Sequence, residues 1–220
     1  MVTADRAPAI PATARTDAGQ RAMPGVIGRV RQHPLRFAGL VIAAILLVAS
    51  IALPYWSITL HAPQYPGGLT VDAYTFKLTG DVSEVDGLNH YIGMMQLEDA
   101  AKIERAISRI AIPVIALLAV ASFWVESRWR WLLVAPVIMY PVVFMIDLFI
   151  WLYYAGHSLD PNAALSSSIK EFTPRIFGTG VIGQFSTEAT FGVGFYLVLL
   201  AAALVIAATY RKRAEDASAG

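Results

Sequence analysis

The chain has 220 residues, of which 56% are hydrophobic and 15% are charged, and its mean hydropathy is +0.56. Soluble domains usually carry about 25% charged residues, so this composition indicates an integral membrane protein. The net charge of +1 gives no reason to expect a nucleic-acid partner. The chain contains no cysteine, which excludes disulfides, thiolate metal sites and thiol catalysis, and leaves His and Met to bind any soft metal.

Four segments are long and apolar enough to cross a bilayer as helices, since a spanning helix needs about 20 mostly apolar residues. The sequence therefore predicts an all-α integral membrane protein, built as a four-helix transmembrane bundle within residues 31–213. A small ordered extracytoplasmic cap is expected from the first outer loop. The predicted spans are residues 37–56, 107–125, 131–154 and 189–210, and the predicted outer loops are residues 57–106 and 155–188.

Basic residues predict the orientation of these spans. Six arginines precede the first span, Arg128 and Arg130 separate the second from the third, and Arg211, Lys212 and Arg213 follow the fourth. The positive-inside rule puts all three groups, and both termini, in the cytoplasm. Residues 1–30 lack an apolar period and are predicted to form a disordered cytoplasmic arm, and residues 214–220 form a cytoplasmic tail.

The first outer loop contains a segment that favours an ordered elbow. Asp86 suits the N-cap of a short helix, and Gly93 suits its C′ position. A second helix is expected to begin near Leu97 and to run into the second span. The elbow, Asp86–Gln96, is predicted to fold onto the outer ends of the spans and to bury its apolar side chains, which are Leu88, Tyr91 and Ile92.

Other loop segments carry weaker patterns. Residues 69–78 partly alternate β-branched and aromatic side chains, which favours a short strand or hairpin. Gly178, Gly180 and Gly183 match G-x-G-x-x-G, but the strand–helix context of a dinucleotide site is missing, so we interpret them as a flexible approach to the fourth span. Ser186 is predicted to cap that span, with Glu188 in its first turn.

His90 and Met94 are the strongest candidates for metal ligands. They are spaced i,i+4, so a helical turn would put both side chains on one face. Imidazole and thioether groups together suit copper, particularly Cu(I), and Met95 and His61 are further candidate ligands. The alternative is that these residues only pack the elbow, since Met often fills gaps in protein cores.

Asp147 lies within the third predicted span, where an ionisable residue is costly. It is either a proton-relay or coupling group, or a neutral side chain bonded to a neighbouring helix, or an aspartate near the outer third of the bilayer. Arg105, at the outer end of the second span, is predicted to anchor that end at the interface or to pair with Glu188 or Asp147. No G-x-S-x-G, H-E-x-x-H or P-loop motif occurs, so we expect a protein that is not an enzyme.

Three stretches, LPYWSITLHAPQYPGGL, VDGLNHYIGMMQLEDAA and GQFSTEATFGVGFY, resemble a family of uncharacterised bacterial four-span membrane proteins. The family's APQYP and LNHYIGM motifs correspond to residues 62–66 and 88–94, and the resemblance covers residues 37–210. Genes of the family lie beside copper-chaperone and nitrous-oxide-reductase maturation genes. The resemblance therefore implies copper handling or a respiratory accessory role at a bacterial inner membrane, with His90 and Met94 as the residues that carry over.

The four-span layout and the entry Pro54-Tyr55-Trp56 are also similar to claudin-type proteins. Their hallmark cysteine pair is missing here, which argues against a barrier or adhesion role.

Three functions follow from this pattern. The leading one is a non-enzymatic membrane accessory protein that binds or passes copper at the extracytoplasmic face of the bacterial inner membrane. The second is a structural subunit of a larger respiratory or energy-transducing membrane complex. The third is a small transporter or channel that uses Asp147. The expected partners are the lipid bilayer and membrane-protein subunits, without nucleic acid.

Overall fold

The computed structural model describes residues 26–125, 128–165, 167–182 and 185–218. The chain divides into two compact units, Met1–His33 and Pro34–Gly220. The described part of the first unit is helix α1 (Val26–Gln32), and residues 1–25 of the predicted arm lie outside the described residues. The second unit contains the remaining elements, which are α2 (Pro34–Ser50), β1 (Trp56–Ala62), β2 (Tyr65–Ala73), β3 (Leu78–Gly80), α3 (Val82–Ile92), a 3-10 turn (Leu97–Asp99), α4 (Lys102–Ala121), α5 (Arg130–His157), β4 (Gly178–Ile182), β5 (Phe185–Phe191) and α6 (Val193–Ser218).

The prediction of an all-α four-helix transmembrane bundle is wrong, because five strands form one antiparallel sheet in the order β3-β2-β1-β5-β4. β1 lies at the centre and pairs with β2 on one side and β5 on the other. The two predicted outer loops each supply strands to this sheet. The strands have three to nine residues each, and strands of this length are stable only when they pair with neighbouring strands in a sheet.

Among the described residues, two helices are long and apolar enough to cross a membrane, α5 and residues Val193–Arg211 of α6. The four-span topology is therefore not supported. α2 has only 17 residues and ends at Ser50, and the last residue of the predicted first span, Trp56, belongs to β1. α4 begins with a charged segment that contains Lys102, Glu104, Arg105 and Arg109. The predicted fourth span also began too early, since residues 189–191 belong to β5.

The sheet separates an apolar face from a polar face, as expected for an antiparallel sheet with one side against a core. Ile58 of β1 lies between its neighbours Val71 and Ala189 on the inner face. Thr59 of β1 is paired with Thr70 and Glu188 on the outer face, where Glu188 is exposed. Because side chains alternate along a strand, this register fixes which face each residue of β1 and β2 occupies as far as Leu60, after which the pairing with β2 shifts.

The helices pack through small and aliphatic side chains. α2 contacts α6 and α4, and α5 contacts both α6 and α4. Three of these helices carry fully buried alanines, which are Ala43 of α2, Ala119 of α4 and Ala201 of α6. Small side chains allow helix axes to approach closely, which is a common way for membrane helices to associate.

The sheet joins the helices at a tight junction. The Gly192 and Gly194 amides donate hydrogen bonds to the carbonyls of Tyr55 and Pro54, at 3.0 and 2.9 Å. A side chain at Gly192 would collide with the Pro54 carbonyl, so only glycine fits there. Tyr55 is fully buried, and its hydroxyl lies 2.6 Å from the hydroxyl of Ser50. Burial raises the pKa of Tyr55 to about 12.

Candidate functional site

A cavity of about 470 Å³ lies beneath the apolar face of the sheet. Its walls come from strands β1, β2 and β5, from helix α3 and from helices α4 and α5, and most lining side chains are apolar. Binding pockets for small molecules usually have volumes of about 300–1,000 Å³ and few polar groups. This cavity therefore has the size and lining of a site for an apolar ligand.

The alternation of the strands builds the roof of the cavity. Ile58 and Leu60 of β1, Val71 of β2, and Phe185 and Thr187 of β5 all line it. These positions are two residues apart within each strand, so they share the inner face. The apolar side chains of β1 and β2 in the first outer loop therefore form the roof of this cavity.

Helix α3 forms a second wall. The elbow is ordered as predicted, and the helix ends at Gly93 with a left-handed φ of 80°. The prediction of Asp86 as the N-cap is wrong, because α3 begins at Val82 and Asp86 lies inside it. Its carboxylate instead accepts a hydrogen bond from the Leu97 amide at 2.6 Å, which ties the two ends of the elbow together. The second helix also begins later than predicted, at Lys102.

The elbow buries only part of its predicted apolar set. Ile92 is 6% exposed and lines the cavity, and Leu88 lines it as well. Tyr91 is 56% exposed, so the prediction that it is buried is wrong. Leu88 and Ile92, four positions apart, share the face of α3 that lines the cavity, and Tyr91 is not among the lining residues.

The second outer loop fixes the elbow in place. The Asp160 amide donates to the Gly93 carbonyl at 2.8 Å, and the Leu165 amide donates to the Tyr91 carbonyl at 2.9 Å. A Cβ atom at Gly93 would lie 2.8 Å from both the nitrogen and the oxygen of Asp160. The LNHYIGM stretch therefore connects the two outer loops. Its glycine, Gly93, is required because its φ is positive and because a side chain would collide with Asp160.

The four candidate metal ligands lie on different surfaces. Met94 and Met95 line the cavity, whereas His90 is exposed and is not among the lining residues. His61 is exposed and paired with Ser186, which puts it on the outer face of the sheet. In the described ranges, no group of three or more His, Cys, Asp or Glu side chains is arranged to hold a metal ion. Copper binding by these residues stays a prediction.

The cavity has one polar corner, where the turn after β2 meets α4. The Ser108 hydroxyl lies 2.7 Å from the Thr75 carbonyl and 2.9 Å from the Arg105 carbonyl, so these three residues are neighbours. Thr75, Arg105 and Ser108 all line the cavity. The Thr75 Oγ1 and Arg105 Nε atoms are buried without a hydrogen-bond partner in the described structure. Sequence reasoning missed Thr75 and Ser108, because isolated hydroxyl residues in apolar surroundings carry no recognisable pattern.

Carboxylates stand on the helical wall of the same cavity. Asp147 of α5 is half-buried, is hydrogen-bonded to the side chain of Trp151 and lines the cavity, and the exposed Glu104 of α4 lines it too. Within the described residues, Arg105 forms no ion pair with Asp147 or Glu188; its guanidinium donates to the Glu98 carbonyl. The prediction of Glu188 in the first turn of a helix, capped by Ser186, is wrong, since both residues belong to β5.

The glycine motif of the second outer loop also differs from the prediction. Gly178 and Gly180 belong to strand β4, which pairs with β5, so they are not a flexible approach to a helix. Gly183 lies outside the described residues.

Comparison of the chain with protein-family models gave no match, and neither characterised proteins nor solved structures matched it. The family resemblance of the APQYP and LNHYIGM motifs therefore stays a prediction.

Proposed function

We propose that this protein is a non-enzymatic membrane accessory protein that holds the apolar chain of a membrane lipid in the cavity beneath its sheet. The observation that carries this proposal is the apolar cavity of about 470 Å³ between the sheet, α3, α4 and α5. Burial of apolar surface is worth about 25 cal/mol per Å². An acyl or isoprenoid chain would therefore gain binding free energy along most of its length.

A membrane position supports this proposal. Helices α5 and α6 carry large exposed apolar side chains, such as Phe149 and Leu200, and α2 and α4 extend this apolar surface with Ile45 and Leu117. Exposed apolar surface of this extent marks a binding face or a membrane contact. We propose that α5 and α6 cross the cytoplasmic membrane of a bacterium.

The orientation follows from the basic ends of these two helices. Arg130 begins α5 and Arg211 lies near the end of α6, and an edge-to-face contact of Trp131 with Tyr210, with ring centroids 5.4 Å apart, brings the two ends together. By the positive-inside rule this end is cytoplasmic. The sheet and its cavity are at the opposite end, on the extracytoplasmic side, so α4, which leads from the sheet to Arg130, runs through the bilayer beside α5, and the C-terminus is cytoplasmic.

The mouth of the cavity indicates where a ligand would enter. Ile107 of α4 and Val143 of α5 line the cavity, yet they are 56% and 57% exposed. The cavity therefore opens between α4 and α5 onto the apolar outer surface of the helices. A lipid chain could pass through this opening from the bilayer without crossing water.

A cavity-filling variant tests the proposal. Ala111 of α4 lines the cavity, and the exposed Ala106 of the same helix does not. We expect Ala111→Trp to abolish binding of a fluorescent apolar probe to the detergent-solubilised protein, whereas Ala106→Trp should bind it like the wild type. Both variants are compared by thermal unfolding, so that loss of binding is not confused with loss of fold. Equal binding by Ala111→Trp and the wild type would refute the proposal.

The functions predicted from sequence alone are tested with the same purified protein. Metal analysis of the wild type and a His90→Ala variant tests copper binding by His90, Met94, Met95 and His61. Co-purification from native membrane tests the structural-subunit role and the expected partner subunits. Ion flux into liposomes that depends on Asp147 tests the transporter role.

A further inference from the structure

We infer that the cavity selects a neutral lipid whose head carries a hydrogen-bond-accepting oxygen, such as an ester or quinone carbonyl, held by Thr75 and Arg105. This inference rests on the proposed function, because it assigns a head-group preference to the same cavity. It follows from three features of the corner where Thr75, Arg105 and Ser108 meet.

The first feature is the Thr75 hydroxyl. Thr75 is only 8% exposed and lines the cavity, and its Oγ1 atom has no hydrogen-bond partner in the part of the chain that the structure describes. Its backbone carbonyl already accepts a hydrogen bond from Ser108 at 2.7 Å. The serine thus satisfies the backbone of Thr75 and leaves the threonine hydroxyl available. Buried polar groups in proteins almost always have a partner, so an unpaired hydroxyl in a cavity wall indicates a place for a ligand atom.

The second feature is the Arg105 side chain. Its Nε atom is buried without a partner among the described residues, while another nitrogen of the same guanidinium donates to the Glu98 carbonyl. An arginine nitrogen can only donate, and a threonine hydroxyl can donate as well. Thr75 and Arg105 both neighbour Ser108 in the cavity lining, so their two unused donors match a single carbonyl oxygen, which has two lone pairs.

The third feature is the charge of the cavity. Its charged lining residues are one cation, Arg105, and two carboxylates, Glu104 and Asp147. A ligand carboxylate or phosphate would meet one favourable charge and two unfavourable ones in an apolar surrounding, where charges interact strongly. A neutral carbonyl gains both hydrogen bonds without this repulsion. An uncharged head group therefore suits the corner better than an anionic one.

A matched series of probes tests this inference on the full-length protein in detergent. The probes share one long chain and differ in the head: a plain hydrocarbon, a methyl ester, a carboxylate and an amine. Each competes with a fluorescent apolar probe for the cavity. We expect the ester to bind roughly 25-fold more tightly than the hydrocarbon, as two net hydrogen bonds of roughly fivefold each predict.

Two substitutions assign the preference to the corner. Thr75→Val removes the hydroxyl at nearly constant shape and should reduce the ester preference to roughly fivefold, which the remaining Arg105 hydrogen bond supplies, with hydrocarbon binding unchanged. Arg105→Lys keeps the charge but lacks the Nε–H, and it should weaken the preference as well. Thr59→Val on the outer face of the sheet is the matched control and should keep it. If Thr75→Val does not fold, Thr75→Ser replaces it and should retain the preference, because the hydroxyl remains.

The outcomes separate the two proposals. If no probe binds to the wild type, the proposed function fails. If the hydrocarbon binds as tightly as the ester, the cavity holds a lipid but the head-group inference is overturned. Tighter binding of the carboxylate or the amine than of the ester would overturn the preference for a neutral head group. A full ester preference in both Thr75→Val and Arg105→Lys would overturn the assignment of this preference to Thr75 and Arg105. Loss of the preference in Thr75→Ser would overturn that assignment as well.

Discussion

Replacement of Gly93 by alanine tests whether the elbow is fastened to the second outer loop. Gly93 has a φ of 80°, a conformation that costs an L-residue with a side chain roughly 1–2 kcal/mol. The new Cβ atom would also lie 2.8 Å from the backbone of Asp160, closer than real Cβ contacts allow. Asp160 would have to move and weaken its hydrogen bond to the Gly93 carbonyl, at a further cost of about 0.5–1.5 kcal/mol.

We therefore expect Gly93→Ala to lower the free energy of unfolding by about 1.5–3.5 kcal/mol, since backbone strain and the lost contact act together. For a chain of this size, 1 kcal/mol shifts Tm by roughly 2–4 °C. The melting temperature of the detergent-solubilised protein should thus fall by roughly 3–14 °C. Thermal unfolding followed by intrinsic tryptophan fluorescence measures this change.

Gly87 provides a matched control in the same helix. A Cβ atom at Gly87 would meet nothing within 4 Å, and its φ is not positive. Since alanine is a better helix former than glycine, Gly87→Ala should be neutral or should stabilise the protein by up to about 1 kcal/mol. If Gly93→Ala and Gly87→Ala are equally stable, the elbow is not held by the second loop and the reasoning is refuted.

Three further predictions concern the junction and the topology. Tyr55→Phe should cost about 1 kcal/mol of stability through its lost buried hydrogen bond. Because burial raises the pKa of Tyr55 to about 12, the wild type should lose stability as pH rises from 10 through that value, and the variant should lose less, as unfolding at pH 8–12 would show. Gly192→Ala should greatly reduce the yield of folded protein, because its side chain would collide with the Pro54 carbonyl, whereas Gly67→Ala, which meets nothing within 4 Å, should not; equal yields of the two variants would contradict this. In this cysteine-free chain, a cysteine at Gly67 should react with an impermeant thiol reagent in intact cells and one at Ser218 should not, and the reverse pattern would overturn the orientation.

Local patterns predicted those parts of the fold that depend on neighbouring residues. The apolar run at residues 131–154 corresponds to α5, which spans Arg130–His157. The glycine at the end of the elbow helix was predicted from the need for a left-handed residue there, and Gly93 has that conformation. The alternation in residues 69–78 corresponds to the end of β2 and the start of β3.

The sheet as a whole depends on contacts that no local pattern encodes. β1 pairs with β5 although more than 120 residues separate them, as the pair Trp56 and Phe191 shows. Ser186 and Glu188 have the residue types of a helix start, and only their pairing with β1 makes them a strand. Propensity is a weak prior that tertiary pairing overrides.

The cavity could not be predicted from the sequence either. It exists because the apolar face of the sheet does not pack directly on α4 and α5, and such a gap depends on the positions of whole elements. His90 and Met94 shared the i,i+4 spacing of one helical face, but Gly93 ends α3 between them, so the spacing does not bring them together. Two polar residues of the cavity, Thr75 and Ser108, are identified only in the structure. The Thr75 hydroxyl is buried without a partner, and the Ser108 hydroxyl donates to the Thr75 carbonyl.

Native mass spectrometry of the protein purified from its own membrane tests whether the cavity holds a lipid. The wild type should carry one neutral lipid per chain, because the cavity of about 470 Å³ has the size of a site for one ligand. Ala111→Trp should carry none, and Ala106→Trp should carry the same lipid as the wild type. A wild-type protein without bound lipid, or an Ala111→Trp variant with the same lipid occupancy, would contradict the account.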